Sequence, residues 1–423
     1  MLSPLRISVT AVTVALVALA CGTEPRQGFD GTSSPTDPGS SGGSGFDGTD
    51  GGPDSSFRGC ASATFKAEAL PAAMLFVLDK SGTMADGGKY AAAQAAIAQA
   101  MDLDAFDSMH LGLLGYPSSN VSGPACLFGI PVLCGVSGLP QVPLALAGKD
   151  KSSASSGVRH AMYQWLVSNA PMPGNGDANP TYDALKNGLD ALEAWNVSGK
   201  RILFYITDGG ASCASLSSRP GYQDGNGCPD WEHPSTIVDL VKAAHDDPQK
   251  PVNTIVVGVP GADGHGENAD VPPYSVRLAL SAYAAAGSPE TIPASCTGKT
   301  FTQTPTDPSV ACHFDMTTGN YSATALANAI TQVRGSLLGC IYELPVPANG
   351  QLDKNQVNVH TETGGKGSDL YKRKDASNPC TADGCWDYTE DGKLVLVGKA
   401  CEDVKKDPTA KVDIVVGCQT IVK

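Results

Sequence analysis

Asp79, Ser81 and Thr83 stand at alternate positions directly after the apolar run Ala73 to Leu78. One carboxylate and two hydroxyls are hard oxygen donors, of the kind that Mg²⁺ and similar cations take. A continuous apolar run of this length suits a strand buried on both faces. Polar oxygens at its carboxyl end sit where open α/β sheets place their ligands. Two more oxygen donors fit the same arrangement. Thr181 opens a helix after the Gly174-Asn-Gly-Asp-Ala-Asn-Pro180 break, and Asp208 ends a second apolar strand.

Other chemistries compete for these residues. An Asp-x-Ser-Gly turn can simply cap a helix. Asp79-Lys80-Ser81-Gly82-Thr83 also differs by one hydroxyl residue from the Asp-Lys-Thr-Gly-Thr signature of phosphorylated ion pumps. In those pumps the Asp is a nucleophile that forms an aspartyl-phosphate. Ion pumps need membrane helices, however, and no segment beyond the amino-terminal one approaches the roughly 20 apolar residues of a span. The 7 His residues are scattered, none within helical reach of another, so a zinc site has little support. No Gly-x-Ser-x-Gly elbow stands between a strand-like and a helix-like segment, and no other hydrolase motif stands out.

The chain has 423 residues and a formal net charge of -14 without a basic run, which argues against nucleic acid as a partner. Arg6 is followed by an apolar segment, Ile7 to Ala20, and then Cys21. The segment is too short to cross a bilayer and reads as a secretory signal over residues 1–20. Ala18-Leu19-Ala20 fits small-x-small cleavage. It also resembles a bacterial lipobox, with Ala18 where Leu usually stands, and Cys21 would then be the lipidated first residue. Setting Cys21 apart from the 13 cysteines leaves an even number, able to pair fully in an oxidising compartment. Gly22 after the lipid-bearing Cys points, in the lipoprotein family, to the outer membrane. The expected location is therefore extracytoplasmic: an outer-membrane lipoprotein or cell-surface protein, otherwise secreted or periplasmic.

Residues 21–58 are rich in Gly, Ser, Asp, Pro and Thr and cannot bury a core, so they form a flexible tether. Strands and helices then alternate. Lys89 to Met101 is an Ala-rich helix, Met109 to Tyr116 a strand and Val142 to Ala147 a short strand. His160 to Val167 is helical, the helix opened by Thr181 follows, and Ile202 to Thr207 is a strand. After it come the helix Ser235 to Ala244, the strand Thr254 to Pro260 and the helix Ser275 to Ala286. A short strand at Phe314 to Met316 and a closing helix at Ala323 to Leu338 complete the unit. This alternation predicts an α/β fold with a doubly wound, mostly parallel sheet over residues 59–340. Residues 341–423 show short strand-like runs separated by Gly, Asn and Asp, a small disulfide-rich β domain. Cys380, Cys385, Cys401 and Cys418 are its expected staples.

The order Asp79-x-Ser81-x-Thr83, Thr181, Asp208 resembles the metal-ion-dependent adhesion site of von Willebrand factor A (integrin I-like) domains, with Thr83 in place of that motif's second Ser. The resemblance covers roughly residues 70 to 340. It implies that Ser81 and Thr83 coordinate a divalent cation directly, Mg²⁺ or else Mn²⁺ or Ca²⁺. Asp79, Thr181 and Asp208 act directly or through water. An Asp or Glu exposed on a protein partner completes the shell. The chain then reads as a binding or adhesion protein rather than an enzyme, touching the membrane only through its lipid. A Mg²⁺ phosphohydrolase using Asp79, and a cell-envelope protein whose metal only stabilises the fold, stay as alternatives. As in some relatives of this fold, a Cys60–Cys340 bridge is expected to pin the domain. Cys213–Cys228 would stiffen the loop after Asp208, which carries Tyr222 and Trp231. Cys126, Cys134, Cys296 and Cys312 are further disulfide candidates.

Overall fold

The computed structural model describes residues 61, 63–67, 72–118, 135–171, 179–196, 199–211, 234–264, 274–302, 306–319, 321–337, 340–345, 352–389, 392–407 and 410–423. The signal segment, Cys21, the tether, Cys60, Cys126, Cys134, Cys213, Cys228, Tyr222 and Trp231 lie outside these residues.

The chain runs β1 (Ala63–Lys66), β2 (Ala72–Asp79), α1 (Lys89–Met101), β3 (Met109–Tyr116), β4 (Val142–Leu146), α2 (Val158–Ser168), α3 (Thr181–Glu193) and β5 (Lys200–Thr207). It continues through α4 (Pro234–His245), β6 (Val252–Gly258), α5 (Val276–Gly287), β7 (Phe314–Asp315), α6 (Ala323–Leu337) and β8 (Ile341–Tyr342). It ends with β9 (Val357–Thr363), β10 (Lys366–Leu370), β11 (Cys385–Tyr388), β12 (Leu394–Val397), α7 (Lys399–Lys406) and β13 (Lys411–Val416).

Six strands form one sheet in the order β4-β3-β2-β5-β6-β7. Every pairing in it is parallel except that of β3 with β4. β2 is central and buried along its whole length, as a sheet covered on both faces requires. Successive side chains alternate between the faces. Met74, Phe76, Leu78, Phe204 and Ile206 join α1, α2 and α6 in one apolar cluster. Leu75, Val77, Tyr116, Leu203 and Tyr205 join α3, α4 and α5 in the other. Each large side chain buried this way contributes about 1.5–3 kcal/mol. Gly188 of α3 sits against Leu203 and Val77, where a Cβ would come within 3.0 Å of both.

The carboxyl-terminal part is a second β layer with disulfides. Four antiparallel strands run β1-β13-β9-β10, and three run β11-β12-β8. Val359, Ile414, Trp386, Leu394 and Ala400 draw both sheets and α7 into one apolar cluster. Residues 63–66, expected at the front of the doubly wound domain, lie in this sheet instead, with Ala63 opposite Val416. The helix α7, absent from the sequence reading, packs so closely on α6 that a Cβ on Gly335 would lie 2.2 Å from the Lys405 carbonyl.

The expected Cys60–Cys340 bridge is corrected: Cys340 pairs with Cys401. β8 is the next element after α6 and pairs with β12, and α7 follows β12. The Leu396 amide donates to the Cys340 carbonyl at 2.8 Å, which holds Cys340 beside α7. Cys380–Cys385 and Cys296–Cys312 are also bonded, and Cys418 is in a disulfide. No helix among the described residues is long and apolar enough to cross a membrane.

Candidate metal centre

Parallel pairing sets the level of each strand end. Asp79 lies opposite Tyr116 of β3, and Leu78 lies opposite Ile206 of β5. Thr207 therefore ends level with Asp79, and Asp208 follows one residue on. Alternation carries Asp79, Tyr116, Tyr205 and Thr207 toward the α3 face. It carries Asp208 toward α1. The two carboxylates thus reach the carboxyl end of the sheet from its opposite faces.

Asp79 is fully buried and held by several donors. The Ser81 amide donates to its Oδ1 at 2.8 Å. The Thr207 hydroxyl donates to its Oδ2 at 2.6 Å. The Asn179 amide nitrogen, in the orientation that satisfies both groups, lies 3.1 and 2.8 Å from the two oxygens. Burial foremost, and then the negative charge of Asp208, push the Asp79 carboxyl up to about 7, against the pull of the Thr207 and Ser81 hydrogen bonds. Desolvation and a like charge both disfavour the ionised form. The same two effects make a cation welcome there.

A short 3-10 segment, Gly82–Gly88, follows Ser81, anchored by the buried Met84. The Ser81 and Thr83 hydroxyls are 3.2 Å apart, and Thr83 donates to Asp208 Oδ1 at 3.1 Å. Thr83 is exposed, so the centre meets solvent at that residue. Gly87 and Gly88 have φ of 61° and 72°, left-handed values that side chains resist. They let the segment turn sharply into α1. Lys89, the first residue of that helix, forms an ion pair with Asp208 Oδ2.

Thr181 starts α3, where it is 1% exposed. Its hydroxyl lies 3.1 Å from the Tyr205 hydroxyl, which accepts a hydrogen bond from Tyr116 at 2.8 Å. Burial raises both phenols further above their ordinary range, so they stay protonated and serve as hydrogen-bonding groups. Gly261, in the loop after β6, has φ of 112°, and a Cβ there would lie 2.8 Å from the Asp208 carbonyl oxygen. That loop closes directly over Asp208.

The structure thus links Asp79, Ser81, Thr83 and Asp208 through direct hydrogen bonds or single intermediaries. Thr181 joins them through Asn179, whose main-chain carbonyl accepts from the Thr181 amide at 2.8 Å and whose side-chain amide reaches Asp79. Two carboxylates and three hydroxyls form a hard, oxygen-only donor set, which fits a cation such as Mg²⁺. Among the described residues no group of three or more His, Cys, Asp or Glu is placed to hold a metal, so hydroxyl donors are essential to this set. Sequence reasoning missed Asn179, Thr207, Tyr116, Tyr205 and Lys89. Strand register could have found Thr207, since it ends β5 level with Asp79. Lys89 carries no signal, because a Lys that opens a helix is ordinarily solvated. The loop after Asp208, residues 209–233, lies mostly outside the described residues.

No family model matches the chain, and no curated protein does. Among solved structures it is similar to the pilus adhesin SpaC from Lactobacillus rhamnosus GG, with 15% identity and a TM-score of 0.41 over 82% of this chain and 39% of the adhesin. It is also similar to an aerotolerance-related membrane protein from Bacteroides fragilis, with 12% identity and a TM-score of 0.31 over 63% of this chain and 98% of that one. Human COPII-coat protein Sec24c matches with 11% identity and a TM-score of 0.32 over 84% of this chain and 40% of its own. The chain therefore spans about two fifths of the length of the adhesin and of the coat protein.

Proposed function

We propose that this is an extracytoplasmic, lipid-anchored binding protein with a metal-dependent adhesion site of the von Willebrand A type. Asp79, Ser81, Thr83, Thr181 and Asp208 would hold Mg²⁺, or else Mn²⁺ or Ca²⁺. The bound cation supplies a positive charge with exchangeable coordination places, and an Asp or Glu of a protein partner completes it. The observation that carries this reading is the hydrogen-bonded run from Ser81 through Thr83 to Asp208, set beside a buried and multiply held Asp79. Such a frame fixes oxygens before a cation arrives and so lowers the ordering cost of binding. Access of a partner is supported at Thr83, which faces solvent.

An aspartyl-phosphate enzyme finds less support. A nucleophilic Asp79 would have to approach substrate from a fully buried position with both oxygens engaged. The deciding experiment is calorimetric titration of Mg²⁺, Mn²⁺ and Ca²⁺ into the wild type and into Asp79→Asn, Ser81→Ala and Asp208→Asn. It is paired with pull-downs from envelope and culture fractions in Mg²⁺ and in EDTA. The reading expects weakened cation binding in every variant and EDTA-sensitive capture of a partner. An Asp79→Asn protein that binds Mg²⁺ like the wild type would sink it. Acylated Cys21 at the native amino terminus, found by mass spectrometry, tests the anchor.

A further inference from the structure

The Lys89–Asp208 pair differs from an ordinary surface ion pair. The Lys89 side chain is 12% exposed and that of Asp208 is 1%. Both Asp208 oxygens are engaged, Oδ1 by the Thr83 hydroxyl and Oδ2 by the Lys89 ammonium. The main chain that carries the ammonium is also anchored. Lys89 is the first residue of α1, and its carbonyl accepts a hydrogen bond from Tyr321 at 2.5 Å. Gly261 closes the other side, where a Cβ would stand 3.5 Å from Lys89 Nζ.

We propose that Lys89 is a tethered competitor of the divalent cation at this centre: its ammonium holds Asp208 when the cation is absent and must release that carboxylate for the cation to bind fully. The inference rests on the reading of the centre as a divalent-cation site. The physical basis is charge. Two carboxylates gathered in a largely buried place repel each other, and a nearby positive charge relieves that cost. Lys89 supplies one such charge from within the chain. A divalent cation brought to the same oxygens repels the ammonium, because charges in a poorly solvated site are weakly screened. Affinity for the cation is thereby set lower than the oxygen set alone would give. Partner binding, which adds a negative carboxylate, then favours the cation-loaded arrangement over the lysine-held one.

The test uses the full chain. Mg²⁺ alone is titrated by calorimetry into the wild type and into Lys89→Met, which keeps much of the apolar stem and removes the charge. Melting is followed in EDTA and in saturating Mg²⁺. Lys89→Met should bind Mg²⁺ at least tenfold tighter, melt lower than the wild type in EDTA, and gain more than the wild type from Mg²⁺. Mg²⁺ affinity that is unchanged or weaker in a folded Lys89→Met overturns the proposal and leaves the cation site standing. Absence of Mg²⁺ binding in both proteins overturns the site reading together with the proposal. Binding by Lys89→Met alone supports both, with Lys89 as a complete block. A second measurement needs no variant. Reductive methylation of wild-type Lys89, read by mass spectrometry, should speed up severalfold when Mg²⁺ is added, and a rate that stays the same or falls overturns the release step.

Discussion

Gly261→Ala probes how the candidate centre is closed from above. The residue has φ of 112°, and an added Cβ would lie 2.8 Å from the Asp208 carbonyl oxygen and 3.5 Å from the Asp208 Cβ. Backbone strain at such an angle costs about 1–3 kcal/mol. The close contact is with main chain, which cannot swing aside, and overpacking of that kind adds about 1–3 kcal/mol. The expected loss is therefore roughly 2–6 kcal/mol. Gly148→Ala is the control. Its φ is 66°, and nothing lies within 4 Å of the added carbon, so only the left-handed strain of about 1–2 kcal/mol applies. Urea denaturation in EDTA measures both losses, and Mg²⁺ calorimetry measures the centre. Gly261→Ala should cost at least about twice what the control does and weaken Mg²⁺ binding about tenfold, as loss of a supporting contact commonly does. Equal stability losses, or unchanged Mg²⁺ affinity beside a large loss, would refute the reasoning.

Asp79→Asn removes a carboxyl that is costly to ionise, since burial and Asp208 raise it to about 7. For an acid raised in the fold, stability is fully present below the unfolded value and is lost as pH rises through the folded one. In EDTA at pH 8 the variant should therefore unfold at equal or higher urea than the wild type, and a clear decrease would contradict the assignment. Thr207→Val deletes the 2.6 Å bond to Asp79 and should cost about 1.5–3 kcal/mol at pH 8, the range for a hydrogen bond to a charged group. A loss below about 0.5 kcal/mol would count against the bond. His313, buried and pushed down to about 4, stays neutral in the fold, so its contribution is complete above about 6.5 and is lost as pH falls toward 4. It should account for about 2 kcal/mol of lost stability between pH 7 and pH 5, and the decline should shrink in His313→Gln. Peptide mapping should join Cys340 to Cys401, and replacing both by Ser should cost up to about 4 kcal/mol in the chain-entropy account of a loop this long.

The doubly wound sheet was readable because its strands are buried on both faces. Met109–Tyr116 and Lys89–Met101 begin and end where the apolar pattern places them. β1 was not readable. Four residues of alternating burial carry little signal, and the partner of β1 is the last strand of the chain. α7 was missed because its sequence, Lys-Ala-Cys-Glu-Asp-Val-Lys-Lys, offers few apolar positions and Ala400 alone is buried. At the centre, Asp79 and Asp208 were legible as carboxylates ending apolar runs. Thr207, Tyr205 and Tyr116 act through register across neighbouring strands, which no single segment encodes. Cys340 shows the same limit. Its partner depends on how α7 folds back over β12, and the order of cysteines along the chain says nothing of that.

The pairing of β1 with β13 bears on how the molecule carries a pulling force. Ala63 faces Val416 and Lys66 faces Asp413, so the chain enters the ladder at the end where β13 leaves it. Tension applied between residue 61 and residue 417 loads this two-strand contact directly. The chain leaves β1 at the other end of the ladder, at Lys66, before it enters the six-stranded sheet. Antiparallel strands pulled from one end separate pair by pair, as a zipper opens, and do not resist all at once as they would in shear. Tension between these two points therefore meets the β1–β13 pair before the six-stranded sheet that lies between them in the chain.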